Sequence, residues 1–185
     1  GAPRGGAAAA PRGYVEGELD APGPGTYERL GALLRKGGVE YVELGPHPPC
    51  RTSEDAVQVR VVGGWDGVTL HSGAKAMLLR AAGQEDRWLL AVLPADRKLS
   101  WKKVRASYGK ATRMATEDEV RSVTGCVPGA VPPLAVAFSG SAECVMDPGL
   151  PDVINFNCGL RTRSMRLSRA DFECVQRPSV LDITE

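Results

Sequence analysis

The sequence predicts a single α+β domain in which a mixed central sheet is flanked by helices. Its length of 185 residues is typical of one domain and allows a sizeable core. Segments with helical and with strand periodicity follow one another without the regular βαβ alternation of a parallel fold. Neither a Walker loop nor a Rossmann glycine pattern occurs, so nucleotide-cofactor chemistry has little support.

The first part of the domain predicts two helices separated by a strand. Thr26 is placed to cap a helix whose apolar stripe ends at Gly37, and a strand follows over residues 39–44. Thr52 or Ser53 then caps a short second helix.

The middle of the chain predicts a hairpin followed by two helices. Apolar strands over residues 73–79 and 87–94 are joined by a short connection, which is typical of antiparallel pairing. Ser100 is placed to cap the next helix. Thr116 and Glu119 have the spacing of a capping box and mark the start of another.

Short strands dominate the remainder of the domain. Ser168 is placed to cap a last helix, which follows the final strand. The strands are expected over residues 111–115, 134–138, 143–146, 153–157 and 164–167.

The two ends of the chain differ from this pattern. Residues 1–25 are rich in glycine, alanine and proline and lack the apolar core of a secretory signal, so we expect a disordered lead-in. This lead-in fits the edge of a longer protein better than a serine-rich transit peptide. The predicted domain spans residues 26–177, and residues 178–185 are expected to form a C-terminal tail.

Composition is that of an ordinary globular chain. Apolar residues make up 43%, charged residues 24%, and the formal net charge is +1. Any affinity for nucleic acid must therefore come from a local basic patch. No apolar run reaches the length of a membrane span, so no membrane association is predicted.

The five cysteines are odd in number and lack C-x-x-C spacing. This pattern predicts neither a disulfide framework nor a zinc site, and we expect no metal and no other cofactor. A reducing compartment fits such cysteines, which indicates a cytoplasmic protein.

Lys75 is unusual because the predicted strand around it is otherwise made of small and aliphatic residues. Burial of an unpaired ammonium group is costly, so such a lysine needs a partner or a ligand. Strand alternation places Lys75 on one face with Met77 and Leu79. Two interpretations fit: the ammonium group faces a ligand in a cleft, or it lies at a strand end and reaches water.

The second candidate feature is a loop formed by Gly129, Ala130, Val131, Pro132 and Pro133. Glycine accepts positive φ, and the two prolines fix φ and lack a donor, so the shape of the loop is strongly specified. The loop either holds a ligand through its backbone groups or is an ordinary turn into a strand. Together with the lysine, it suggests a site for a small polar group attached to an anionic molecule.

Two other chemistries have weaker support. Cys126 or Cys158 could act as a nucleophile, but a thiolate needs an activating base, and neither histidine has a recognisable orienting acid. Structural cysteines explain the pattern more simply. Basic residues cluster within 98–113 and 161–169, which fits either phosphate contacts or solvated surfaces.

Seven short motifs occur in consistent order between residues 47 and 175: TSEDA from Thr52, SGAKAMLL around Lys75, LPADRKL from Leu93, ATEDEV from Ala115, TGCVPGAVPP from Thr124, NCGLRTRSMRL from Asn157, and DF at Asp171. Together they resemble the YbaK/ProX family of aminoacyl-tRNA editing domains. That family includes the editing domain inserted in, or appended to, prolyl-tRNA synthetases.

The resemblance implies a curved central sheet and hydrolysis of the ester that joins a wrong amino acid to tRNA. It implies that Lys75 holds the substrate electrostatically and that the loop from Gly129 to Pro133 positions the aminoacyl group. Because the family generally lacks a Ser-His-Asp triad and a metal centre, a substrate hydroxyl or an ordered water is the implied nucleophile. The further pocket residues implied by position are His47, Thr52, Ala130, Val131, Pro132, Asn157, Gly159 and Ser164.

The implied partners are aminoacylated tRNA and a prolyl-tRNA synthetase, in cis or in trans. Members that clear alanine from tRNA(Pro) often carry asparagine where this chain has Ala76, and the cysteine-clearing group often has an acidic residue near Ser164. A pocket that excludes proline by size makes alanine the first expected substrate, followed by serine, threonine and cysteine. The alternative is a non-catalytic tRNA-binding or synthetase-docking module with the same fold.

Overall fold

The computed structural model describes residues 25–83 and 87–185, so the predicted lead-in lies outside the described residues apart from Gly25. No helix in these ranges is long and apolar enough to cross a membrane. The helices are α1 (Thr26–Lys36), α2 (Ser53–Val62), α3 (Trp101–Tyr108), α4 (Glu117–Thr124) and α5 (Arg169–Gln176). The strands are β1 (Val42–Leu44), β2 (Ala74–Arg80), β3 (Trp88–Pro94), β4 (Arg113–Met114), β5 (Glu143–Met146), β6 (Val153–Asn157), β7 (Ser164–Ser168) and β8 (Ser179–Val180).

Four helices begin where local sequence signals place them. Thr52 and Thr116 each form a full capping box, in which the threonine hydroxyl and the acidic side chain three residues later each accept the other residue's backbone N–H. Ser100 and Ser168 cap α3 and α5 through their hydroxyl oxygens. The predicted starts of these four helices are confirmed.

The first helix departs from its predicted cap. Gly25 occupies the cap position and makes no side-chain bond, while Thr26 is the first helical residue. The buried Thr26 hydroxyl donates instead to the carbonyl of Thr124 at the end of α4. The prediction of Thr26 as the cap is therefore wrong, because a tertiary partner uses the hydroxyl.

The predicted strand over residues 134–138 is also wrong. This segment forms a 3₁₀ turn, Ala135–Ala137, that packs into the main core. Four of its residues are buried and only Val136 is exposed. Burial of two neighbouring residues on each side of Val136 fits a helical turn, whereas a strand would bury alternate residues.

The strands form two hydrogen-bonded sheets. The first has the order β1-β7-β6 and is antiparallel, and the second has the order β4-β2-β3-β5-β8. In the second sheet β2 is antiparallel to β3 and β4, whereas β5 is parallel to β3 and β8. The predicted hairpin and the predicted α+β class with mixed pairing are confirmed.

The larger sheet is covered on both faces. Leu90 and Val92 of β3 pack into the main core with α1, α5 and the smaller sheet. Leu89, Ala91 and Leu93 face the other way, into a second cluster with α3 and the C-terminal residues. This double burial explains why β3 is an almost uninterrupted apolar run.

The two sheets meet at an isolated parallel bridge between Gly73 and Asn155. The Asn155 backbone N–H donates to the Ser72 carbonyl at 2.8 Å, and its side-chain amide donates to the Ser72 hydroxyl at 2.9 Å. Because Gly73 directly precedes β2, this junction brings Lys75 close to the smaller sheet.

Residues 178–185 are ordered against the domain although their sequence shows no pattern. β8 extends the larger sheet beside β5, and Ile183 is only 1% exposed. The Ser100 N–H donates to the Ile183 carbonyl at 2.7 Å, and the Glu185 N–H donates to the Lys98 carbonyl at 3.0 Å. This segment therefore holds the chain between β3 and α3.

Candidate active site

A cleft of about 270 Å³ opens at the junction of the two sheets. Its walls come from α2, the beginning of β2, β6, and the loop that follows α4. Five residues singled out from the sequence line it: Lys75, Gly129, Thr52, Val131 and Asn157. Thr52 and Asn157, which are 105 positions apart along the chain, thus line the same cavity as Lys75.

The other six residues singled out from the sequence do not line the cleft. All of them are buried, and they lie in the segments that support its walls. They are His47, Ala130, Pro132, Pro133, Gly159 and Ser164.

The Lys75 ammonium group lies at the end of the hairpin beside the loop that follows β3. Nζ donates to the Arg97 carbonyl oxygen at 2.7 Å. Partial burial lowers the pKa of Lys75, while the carboxylates of Asp96 and Glu54 favour the charged form. Among the described residues, no other acceptor bonds to Nζ, so two of its three N–H donors are available to a ligand.

Three successive carbonyl groups fix the loop after α4, because each accepts a hydrogen bond from the segment that begins at the end of β6. The carbonyls of residues 128–130 accept hydrogen bonds from Arg161 Nε at 2.9 Å, Asn157 Nδ2 at 2.8 Å and the Gly159 N–H at 2.9 Å. Gly129 has a φ of 88°, which side chains other than glycine rarely adopt. The backbone of the loop is therefore fixed before any ligand binds.

The same loop has unused donors at the cleft. Within the part of the chain that the structure describes, the N–H groups of Gly129 and Val131 have no hydrogen-bond acceptor. Both residues line the cleft. Fixed backbone N–H groups of this kind stabilise negative charge that develops on a substrate oxygen.

Arg60 is the main lining residue that sequence analysis missed. It lies on the inward face of α2 one turn after Ala56 and is only 3% exposed. Its Nε donates to Ser164 Oγ at 3.1 Å, and its Nη2 donates to Asn157 Oδ1 at 3.1 Å. Because Asn157 donates in turn to Gly129, Arg60 connects α2 to the loop. The available signal was its spacing, because Arg60 follows Ala56 by one helical turn and therefore shares its face of α2.

His47 joins this network through Ser164, although it does not line the cleft itself. Its Nδ1 lies 2.8 Å from the Pro48 carbonyl, which can only accept, so Nδ1 carries the proton. Its Nε2, 3.0 Å from Ser164 Oγ, then accepts the hydroxyl proton of Ser164. Burial lowers the pKa of His47, and the positive charge of Arg60 lowers it further.

The cysteines do not form a nucleophilic centre. Cys126 and Cys158 do not line the cleft, whereas Cys50 does. Burial raises the pKa of the Cys50 thiol to about 11, so the reactive thiolate is not favoured. All five cysteines are free, and no cluster of three metal-ligating side chains occurs in the described ranges.

Many of the clustered basic residues have internal partners. Arg166 donates to Asn155 Oδ1 at 2.7 Å, and Arg169 pairs with Glu173 at 2.6 Å. Lys103 pairs with Asp182 at 2.8 Å. These contacts tie both clusters to the domain, so their basic character alone does not mark a nucleic-acid surface.

Comparison with known proteins agrees with this architecture. The family model of the aminoacyl-tRNA editing domain matches residues 47–174. The multifunctional Ser/Thr-tRNA deacylase ProXp-y of Escherichia coli strain K12 is 30% identical over 167 residues, which cover 88% of this chain and 95% of the relative. The protein of the same name from Escherichia coli O157:H7 matches to the same extent.

Two solved structures share the fold at lower identity. A proposed trans-editing enzyme for prolyl-tRNA synthetase superposes with a TM-score of 0.71 at 22% identity, over 89% of this chain and 99% of the other. A hypothetical protein superposes with a TM-score of 0.72, also at 22% identity, over 85% and 99% of the two chains.

The family predicted from the sequence is thereby confirmed, and with it the predicted class of enzyme, an aminoacyl-tRNA deacylase. The chain belongs to the aminoacyl-tRNA editing domain family.

Proposed function

We propose that this protein acts in trans to hydrolyse the ester of mischarged tRNA and that its substrates carry serine or threonine. The observation that carries the proposal is a single cleft lined by Lys75, whose ammonium group has unused donors, and by Gly129 and Val131, whose backbone N–H groups have no acceptor among the described residues. The named activity of the Escherichia coli relatives supports the choice of amino acid. The sequence-based expectation of alanine on tRNA(Pro) has no such support.

In this mechanism the protein positions the ester and stabilises charge, while the attacking group comes from outside the chain. Lys75 and the loop hold the aminoacyl-adenosine so that the ester carbonyl faces their N–H donors. A ribose hydroxyl or an ordered water attacks the carbonyl carbon, and the donors stabilise the resulting oxyanion. The absence of a reactive thiol or imidazole among the described lining residues fits such a scheme.

We also propose that the tRNA substrate is delivered in connection with prolyl-tRNA synthesis. The likeness to a proposed trans-editing enzyme for prolyl-tRNA synthetase supports this partner. The free state of the five cysteines fits a reducing compartment such as the cytoplasm.

The direct test is deacylation of Ser-, Thr-, Ala-, Cys- and Pro-tRNA by the wild-type protein and by Lys75→Ala. We expect rapid loss of serine and threonine, and a fall in kcat/KM of about 100-fold or more in the variant, because a positioned donor at the oxyanion is removed. Lys36→Ala serves as the matched control, since Lys36 is an exposed lysine at the end of α1.

Three outcomes would contradict the proposal. Flat time courses with retained tRNA binding would indicate the non-catalytic module with the same fold. Hydrolysis confined to Ala-tRNA would leave a deacylase but overturn the choice of amino acid. Full activity of Lys75→Ala would remove the proposed site.

A further inference from the structure

Arg60 is a buried charge without a compensating carboxylate. It is 3% exposed, and its two hydrogen bonds go to neutral oxygens, those of Ser164 and Asn157. Within residues 25–83 and 87–185, no acidic side chain forms an ion pair with it. Burial lowers its pKa to about 10, which reflects the cost of holding the charge there. A buried charge of this kind is normally paired or bound to a ligand.

The guanidinium group also has an unused donor. Nε and Nη2 have acceptors, but no described residue accepts a hydrogen bond from Nη1. Among the described residues, Thr162 Oγ1 is the one side-chain polar atom that is both fully buried and without a hydrogen-bond partner. Nη1 also lacks a partner but is not fully buried, so it keeps some access to solvent. Arg60 is one of the residues that line the cleft, so a ligand bound there is a candidate acceptor for this donor.

We propose that Arg60 is a specificity-determining residue whose Nη1 donates a hydrogen bond to the side-chain hydroxyl of a seryl or threonyl group in the cleft. The inference rests on the proposed function, in which the ester carbonyl lies against Lys75 and the Gly129 loop. The amino-acid side chain is then left to contact the part of the lining that comes from α2, which includes Arg60.

Charge and size favour a hydroxyl over the other groups of the substrate. A guanidinium group has donors only, so its ligand must accept, and it repels the cationic α-amino group of the amino acid. Much of the nearby lining is small, including Ala56, Gly73, Ala74 and Ala76, so the space suits a short side chain. Serine and threonine supply an acceptor within that space, whereas alanine offers this donor none.

The neighbouring hydrogen bonds fix the direction of the donor. Ser164 and Asn157 hold two edges of the planar guanidinium group, so its remaining N–H groups have a set orientation. Lysine at this position would keep the charge but lose the planar fork. Methionine would keep much of the volume and remove both the charge and the donors.

The test compares binding and hydrolysis of serine and alanine substrates by the wild type, Arg60→Met and Arg60→Lys. Binding is measured by calorimetry with 3′-deoxy-3′-(seryl)amino- and 3′-deoxy-3′-(alanyl)aminoadenosine, which the protein cannot hydrolyse at an ester. Hydrolysis is measured as kcat/KM on one tRNA charged with either amino acid. Arg87→Met is the matched control, because Arg87 is an arginine outside the cleft with 43% side-chain exposure.

The serine-to-alanine ratio is the decisive quantity, because a loss of folded protein lowers both hydrolysis rates equally. We expect the wild type and Arg87→Met to favour serine by about tenfold or more, and both Arg60 variants to lose most of that preference. An unchanged ratio in Arg60→Met, even with lower activity, would show that Arg60 is only structural and would overturn the inference.

Failure of the proposed function gives a different result. If the wild type hydrolyses neither ester, the proposed function fails, and the two amide analogues still decide the inference. Selective binding of the seryl analogue that depends on Arg60 would support it. Equal binding of the two analogues, or binding of neither, would overturn it.

Discussion

The imidazole of His47 occupies a position in which the neutral form fits and the charged form does not. Its two nitrogens face the Pro48 carbonyl and the Ser164 hydroxyl, so the ring donates once and accepts once. A second proton would place an imidazolium close to the buried guanidinium of Arg60 and would turn the Ser164 hydroxyl away. The protonation state of one residue behind the cleft therefore affects the bonds that hold its wall.

A pH dependence of stability follows from this arrangement. Burial lowers the pKa of His47 in the folded protein below its ordinary value of 6.5. The unfolded chain then binds the proton more readily, so stability is lost as the pH falls below 6.5 and is fully present above it. Urea unfolding between about pH 5 and pH 8 should show this acid loss in the wild type and a shallower one in His47→Gln. Parallel curves for the two proteins would contradict the assignment of a neutral His47.

At the scale of single elements, α2 links helix capping to the cleft. Its first turn is fixed by Thr52 and Asp55, and the same helix contributes Arg60 one turn and a half later. Asp55 Oδ2 accepts the N–H groups of Arg51 and Thr52, both at 3.0 Å. Any change that frays this end of α2 is therefore expected to move a wall of the cleft.

Two threonine caps allow this link to be tested. Thr52→Ala and Thr116→Ala each remove one side of a capping box, and each should lower the free energy of unfolding by about 1 kcal/mol. Only Thr52 lies at the cleft, so only Thr52→Ala should also lower kcat/KM for deacylation. Urea unfolding and deacylation kinetics on the same preparations measure both effects. Equal kinetic effects of the two substitutions would indicate that the cap matters only for stability.

Features that depend on neighbouring residues were predictable from the sequence, whereas features that depend on contacts between distant segments were not. Thr52, Thr116 and the hairpin were predictable because their signals are complete within a few neighbouring residues. The turn at residues 135–137 was not, because its conformation depends on packing against α1 and α5. Arg60 was missed for a related reason: its hydrogen-bond acceptors, Ser164 among them, are about 100 positions away in the sequence.

At the scale of the whole molecule, the C-terminal residues reinforce the part of the chain that holds Lys75. Lys98 and Ser100 form backbone hydrogen bonds with residues 183–185, and the neighbouring Arg97 carbonyl accepts the bond from Lys75 Nζ. Asp147, which is 3% exposed, accepts the Ile183 N–H at 3.0 Å and anchors the segment from the other side. The lysine is thus supported by residues more than 100 positions away in the sequence.

Two aliphatic residues of this segment provide a stability test. Ile183 is 1% exposed and Val180 is 57% exposed. Ile183→Ala should lower the free energy of unfolding by about 2–4 kcal/mol, because it removes buried atoms and leaves a cavity. Val180→Ala should change it by less than about 0.5 kcal/mol. Similar urea midpoints for the two variants would show that the segment does not contribute to the core as described.

The bridge between Gly73 and Asn155 also has a consequence for how the protein acquires activity. One wall of the cleft belongs to each sheet, and the bridge joins strands that are about 80 residues apart in the chain. Pairings of such long range form late, because a large loop must close before any contact compensates for the lost entropy. A partly folded chain in which the two sheets have not joined would have only part of the cleft lining and no complete site. Catalytic competence is thus expected to arise in one step, when the two sheets join.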